Sequence, residues 1–265
     1  MSASLEFAGL KRETKIITIA NLNPATCETS DKIFDAIYTI FKTGHRRLPI
    51  VSKKNNLEGI ITITDLLDAF LRRQDFNEKL ETIMIRDIIA CKEDDSIDFV
   101  LKKLKLSRRG GLPIIDIEKK LVGIISERDF IKFFTNIEFG ISVKDVMTKK
   151  PFFISPEISI LDCLKTIVNA RYRRLPVVKN KKLVGIVTSL DLLEYIKNHG
   201  YNFDKLDEPL DLIMKKDVFT IPEDSDLSDA IKVMRAKDVG GILVIDKNKN
   251  LDGIVTERDI LGEID

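Results

Sequence analysis

Four short stretches set a hydroxyl and a carboxylate three residues apart behind a glycine and two β-branched residues. They are "GIITITD" at 59–65, "GIISERD" at 123–129, "GIVTSLD" at 185–191 and "GIVTERD" at 253–259. Such a pair can close a helix N-terminus as a capping box. It can also face a ligand, with the helix N-terminus favouring an anion and the carboxylate accepting hydrogen bonds from a diol. A capping box favours Glu or Gln at its last place, whereas Asp65, Asp129, Asp191 and Asp259 are all the shorter acid, which weighs towards the ligand. The glycines at 59, 123, 185 and 253 recur every 62 to 68 residues, so the chain is a repeat.

Guanidiniums stand where a hairpin would bring them to the motif. "RRLPIV" at 46–51 and "RRLPVV" at 173–178 read as strands just before those carrying motifs one and three. Antiparallel pairing puts Arg46 and Arg47 beside Thr62, Thr64 and Asp65, and Arg173 and Arg174 beside Thr188 and Asp191. A guanidinium grips a phosphate bidentately, and the hydroxyl and helix N-terminus add donors, so these are the parts of a nucleotide site. Copies two and four carry Gly110-Gly111 and Gly240-Gly241 at the same place. Their basic groups are Arg128 and Arg258, next to Ser126, Asp129, Thr256 and Asp259.

The elements holding these groups follow from periodicity. In the first copy "KIITIA" at 15–20 reads as a strand, and Ile33, Ile37, Ile40 and Phe41 mark a helix that Ser30 caps and Gly44 ends. Strands at 47–51 and 57–63, joined by the polar turn "KKNN", precede the helix "TDLLDAFLRRQ". Each repeat is thus β-α-β-β-α, in an α/β (α+β) fold. The helix face recurs at Ile97, Val100, Leu101 and Leu104, at Ile160, Leu164, Ile167 and Val168, and at Leu227, Ile231 and Met234. Units this small must pair to cover their apolar surface. The order A-B-A-B, with its boundary near 136–143, predicts two pairs, and the four repeats are expected at 8–75, 82–138, 144–200 and 210–265.

Composition narrows the class. The 265 residues are 44% hydrophobic, and 43 Lys and Arg against 42 Asp and Glu give a net charge of +1. No global field recruits nucleic acid or an anionic membrane, so anion binding must be local. Neither a signal peptide core in "MSASLEFAGLKRETK" nor a spanning apolar run is legible, which predicts a cytoplasmic protein. Cys27, Cys91 and Cys163 are scattered and read as buried thiols, and His45 and His199 sit in no metal-ligand spacing.

The four copies of Gly-h-x-[Ser/Thr]-x-x-Asp on β-α-β-β-α units resemble CBS domains over nearly the whole chain. The resemblance implies repeats paired into two Bateman modules in a flat disk, like the gamma regulatory subunit of AMP-activated protein kinase, as a monomeric disk or a homodimer. It implies a non-catalytic regulator with AMP, ADP or ATP as regulatory ligand, an unknown protein partner and no catalytic cofactor. The Asp of each motif would hold ribose and the Ser or Thr would meet phosphate or ribose. First-strand backbone near Ile19, Ala90, Ile154 and Thr220 would meet adenine. S-adenosylmethionine is the alternative ligand, followed by a polynucleotide on a stripe of Arg46-Arg47, Arg108-Arg109 and Arg173-Arg174. After four repeats too little chain remains for a catalytic domain.

Overall fold

The computed structural model describes residues 4–265, with the Phe7 side chain also set aside, so the first three residues of the amino-terminal stretch lie outside the described ones. The first repeat runs β1 (Cys27–Glu28), α1 (Ile33–Thr43), β2 (Arg47–Val51), β3 (Leu57–Thr62) and α2 (Ile63–Leu71). The second runs β4 (Cys91–Lys92), α3 (Ile97–Ser107), β5 (Gly111–Ile115), β6 (Leu121–Ser126) and α4 (Glu127–Ile131). The third opens with α5 (Val143–Val146) and β7 (Thr148–Lys149) and continues with α6 (Ile160–Ala170), β8 (Arg174–Lys179), β9 (Lys182–Thr188) and α7 (Ser189–Asn198). The fourth has β10 (Thr220–Pro222), α8 (Leu227–Ala236), β11 (Gly241–Ile245), β12 (Leu251–Thr256) and α9 (Glu257–Gly262).

In each repeat a short first strand lies parallel to the second, which pairs antiparallel with the third. In the third repeat the first strand shrinks to one bridge, Ile154 to Val177, beside the hairpin of β8 and β9. The first helices bury the face read from sequence, with Ile33, Ile37, Ile40, Ile97, Val100, Leu101, Leu104, Ile160, Leu164, Ile167, Leu227, Ile231 and Met234 all in the core. Gly44 ends α1 at φ 71°, the left-handed turn that glycine adopts without strain.

Two local expectations are corrected. "KIITIA" is no strand: Ile16–Thr18 form a 3₁₀ turn, and the Ile16 N–H donates to the Asp95 carbonyl of the second repeat at 2.8 Å. Ser30 does not cap α1, which starts later, with Lys32 at the cap and its N–H donating to Asp35 at 2.8 Å.

Both differences come from contacts between neighbouring repeats, Lys15 bridging Ser96 and Lys32 bridging Lys79. The segment leading into each repeat packs on its neighbour, Ile85 bridging Ile60, Asn21 bridging Ile124, Lys215 bridging Ile186, and β7 joining the sheet of β12. That exchange explains the motif glycine. A Cβ on Gly59 would lie 2.6 Å from Met84 Sδ, and one on Gly185 would lie 2.8 Å from Met214 Sδ. Repeats one and two, and three and four, are thus the sheet-linked pairs.

The cores run the other way. One is shared by repeats one and three, around Leu48, Leu66, Ile160 and Leu192. The other, shared by repeats two and four, surrounds Leu112, Phe130, Ile231 and Ile260. Helices α2 and α7 pack together, as do α4 and α9. Since each core draws on both sheet-linked pairs, no repeat is a self-sufficient unit. Cys27, Cys91 and Cys163 are free and buried, and burial pushes the latter two thiols up to about 11 and about 12. Among the described residues no helix is long and apolar enough to cross a membrane.

Candidate functional site

Each motif straddles the junction of a third strand and the helix after it, and each forms the capping box. Asp65 Oδ2 accepts from the Thr62 N–H at 2.8 Å and the Thr62 hydroxyl at 2.6 Å. Asp129 does the same with Ser126 at 2.9 and 2.6 Å, Asp191 with Thr188 at 2.7 and 2.7 Å, and Asp259 with Thr256 at 2.8 and 2.7 Å. The expectation that the shorter acid weighs against a capping box is therefore corrected: Asp spans the N-cap in all four copies. The carboxylate keeps Oδ1 for a second partner. Asp191 Oδ1 receives Lys215 Nζ at 2.7 Å, Asp129 Oδ1 receives Lys132 at 3.4 Å, and Asp65 Oδ1 lies 3.9 Å from Arg171. Burial raises the Asp259 carboxyl above its ordinary range.

The hairpin brings the arginine pairs to the motifs as expected, Arg47 opposite Thr62 and Arg174 opposite Thr188. Both hairpins face one cavity of about 600 Å³ where all four repeats meet, lined by Arg46, Arg47, Thr62, Thr64, Arg173, Arg174 and Thr188. Nine Arg and Lys side chains line it against three Asp, so the near-zero charge of the whole chain conceals a concentrated cationic centre. Burial, then the charge of Arg173, lowers the Arg47 guanidinium to about 10. Burial and then Arg46 lower Arg174 to about 10, and burial followed by Arg128 lowers Arg46. Arg47 Nη1 is sealed from solvent with no acceptor in reach among the described residues. A buried, unpaired guanidinium is costly unless an anion meets it.

Repeats two and four are built differently. The expectation that Arg128 and Arg258 replace the missing arginine pairs is corrected, because both are held in reciprocal ion pairs between α4 and α9. Arg128 Nε meets Glu257 at 2.7 Å and its Nη1 meets Asp238 at 2.5 Å, while Arg258 Nε meets Glu127 at 3.0 Å. Glu127 and Glu257 are 1% and 7% exposed. The Gly-Gly pairs are seats for arginines from other repeats. A Cβ on Gly110 would lie 2.5 Å from Arg47 and 2.6 Å from Arg173, and one on Gly240 would lie 2.8 Å from Arg46. Arg46 of the first repeat thus lies against the fourth, and Arg173 of the third against the second.

Ser126, Arg128, Asp129, Thr256, Arg258 and Asp259 do not line the cavity, and neither do Asp65 and Asp191, each of which follows a lining residue in the chain, Thr64 and Leu190. Of the residues expected near adenine, Ile154 is buried in the strand ladder, Thr220 opens β10, Ala90 precedes β4, and Ile19 packs in the core of repeats two and four. Directly before Ala90 and Thr220, the exchanged segments supply apolar walls, Ile88 and Ile89 on one and Val218 and Phe219 on the other. Lys215, Arg171 and Lys237 escaped sequence reasoning because each reaches the cavity from outside the motif. Glu127 and Glu257 were visible as the Glu-Arg shared by copies two and four, without a sign of their partner.

The CBS-domain family matches residues 16–72, 80–136, 143–198 and 210–265, and the chain belongs to it. Protein MJ1225 of Methanocaldococcus jannaschii is 31% identical over 93% of this chain and 98% of its own. Its crystal structure, described as that of a candidate archaeal homologue of g-AMPK, superposes with a TM-score of 0.87 over 94% of this chain and 99% of that one, at 29% identity. A 33.4 kDa protein from the ribosomal RNA operon of Thermofilum pendens is 29% identical over 91% of this chain and 87% of its own. A conserved Pyrococcus horikoshii protein shares the fold at 21% identity, with a TM-score of 0.66 over 94% of this chain and 99% of that one.

Proposed function

We propose that the protein is a non-catalytic regulator that binds adenine nucleotides in its central cavity and conveys their presence to a protein partner. The observation that carries this reading is the convergence of Arg46, Arg47, Arg173 and Arg174 on one cavity, with Arg47 Nη1 buried and unpaired. Phosphate oxygens would supply the missing acceptors, and removing mutual repulsion among buried guanidiniums adds to the gain. Ile88 and Ile89, and Val218 and Phe219, offer apolar surface for a base, and Oδ1 of Asp65, with Oδ1 of Asp191 once Lys215 leaves it, suits a ribose diol.

Two clefts, those of motifs one and three, open into this cavity, which supports two nucleotides per chain. In copies two and four the corresponding groups are engaged in the Arg128–Glu257 and Arg258–Glu127 pairs. The cation excess disfavours S-adenosylmethionine, which carries a sulfonium. A polynucleotide is disfavoured because, of Arg46-Arg47, Arg108-Arg109 and Arg173-Arg174, Arg108 and Arg109 alone are exposed, while the other four are half-buried at the cavity. Because Arg46 and Arg173 cross between the sheet-linked pairs, neutralising them changes how those pairs press on one another. By linkage, a partner that prefers the loaded arrangement binds the loaded protein more tightly.

The test is equilibrium binding of AMP, ADP, ATP, adenosine, S-adenosylmethionine and a single-stranded oligonucleotide at low and high salt. The three nucleotides are expected to bind more tightly than adenosine, with S-adenosylmethionine weakest. Tighter binding of S-adenosylmethionine or of the oligonucleotide would overturn the reading.

A further inference from the structure

The two clefts that open into the cavity are built from equivalent backbone and different side chains. The residue after Met84 and the residue after Met214 occupy matching places. Ile85 exchanges backbone hydrogen bonds with Ile60 at 3.0 and 3.0 Å, and Lys215 does so with Ile186 at 2.9 and 2.9 Å. Both side chains line the cavity. Ile85 offers no charge, whereas Lys215 places its ammonium 2.7 Å from Asp191 Oδ1. The Asp191 side chain is 5% exposed and that of Lys215 is 62% exposed, so a buried acceptor is latched by a cation on a solvated, flexible stem.

Both oxygens of Asp191 are then occupied, Oδ2 by the Thr188 N–H and hydroxyl and Oδ1 by Lys215. In the first cleft, among the described residues, Asp65 Oδ1 has only Arg171, at 3.9 Å. A ribose diol entering the third cleft must displace the ammonium. A bare nucleoside gives it no new partner, whereas a nucleotide brings a phosphate to which the freed ammonium can swing.

We infer that Lys215 is a specificity-determining residue that makes the third-repeat cleft selective for phosphorylated over unphosphorylated adenosine, and that the first-repeat cleft lacks this selectivity. The inference rests on the nucleotide reading of the cavity.

The experiment measures adenosine and ADP affinities in an Asp65→Ala background, which reports the third cleft, with Lys215, Lys215→Met or Lys215→Arg. Lys215→Met is expected to bind adenosine about threefold more tightly and ADP about threefold more weakly, the scale of one partly exposed ion pair made or lost, so the preference for ADP falls about tenfold. Lys215→Arg is expected to retain the preference. In an Asp191→Ala background, Ile85→Lys is expected to confer it on the first cleft. An unchanged adenosine-to-ADP ratio in Lys215→Met, or an equal loss in Lys215→Arg, would overturn the role of Lys215 while leaving the nucleotide site intact. Failure of the unsubstituted protein to bind any nucleotide would overturn the nucleotide reading, and this inference with it.

Discussion

Arg47→Met separates a structural arginine from one kept for an anion. The guanidinium is lowered from 12.5 to about 10, chiefly by burial and then by Arg173. That displacement corresponds to a cost of about 3 kcal/mol for holding the charge in the ligand-free fold, at about 1.4 kcal/mol per pH unit. Methionine keeps an unbranched apolar stem and removes the charged guanidinium that lies over Gly110. Allowing for lost contacts, the ligand-free variant is expected to gain about 1–3 kcal/mol, or about 3–10 °C in Tm for a chain of this size. A base whose folded value is depressed destabilises the fold fully below that value, and the penalty fades as pH rises towards the unfolded value. The advantage of the variant should therefore shrink as pH rises through about 10. The same variant should lose about 1.5–3 kcal/mol of ADP binding, the scale of hydrogen bonds to a charged group. Differential scanning calorimetry with and without ADP reads both effects. A ligand-free variant less stable than the parent, yet fully stabilised by ADP, would refute the reasoning.

Other substitutions probe separate parts of the account. Asp191→Ala should weaken nucleotide binding at the third cleft by about 1.5–3 kcal/mol, and should also cost about 1 kcal/mol of stability through the lost cap, seen as a lower urea midpoint. Gly111→Ala puts a Cβ 2.9 Å from the Ile125 carbonyl and against Arg47, so it should destabilise by about 1–3 kcal/mol in chemical denaturation. Glu257→Gln leaves Arg128 short of a charged partner and should cost about 1–3 kcal/mol while leaving two nucleotides bound per chain, as read by denaturation and calorimetry.

Much of this arrangement is legible in the sequence because it is local. The motif, the hairpin that sets Arg47 opposite Thr62, the helix faces and the glycine ending α1 depend on residues close in the chain. What escapes is contact between repeats. "KIITIA" carries the β-branched pattern of a strand, yet Ile16 is spent in the core of repeats two and four. Arg128 and Arg258 look like anion ligands until Glu257 and Glu127, more than a hundred residues away, are placed beside them. The Gly-Gly pairs show that bulk is excluded there without naming the arginine that excludes it. The motif aspartates are caps and candidate ligands together, because one carboxylate has two oxygens.

The central claim, a shared cationic cavity served by two clefts, is tested most directly by calorimetric titration of the intact chain with ADP, reading stoichiometry. Two ADP per chain are expected, falling to one in Asp65→Ala or Asp191→Ala and remaining two in Asp129→Ala or Asp259→Ala. Four ADP per chain, no binding, or loss of a site on substituting Asp129 or Asp259 would contradict it.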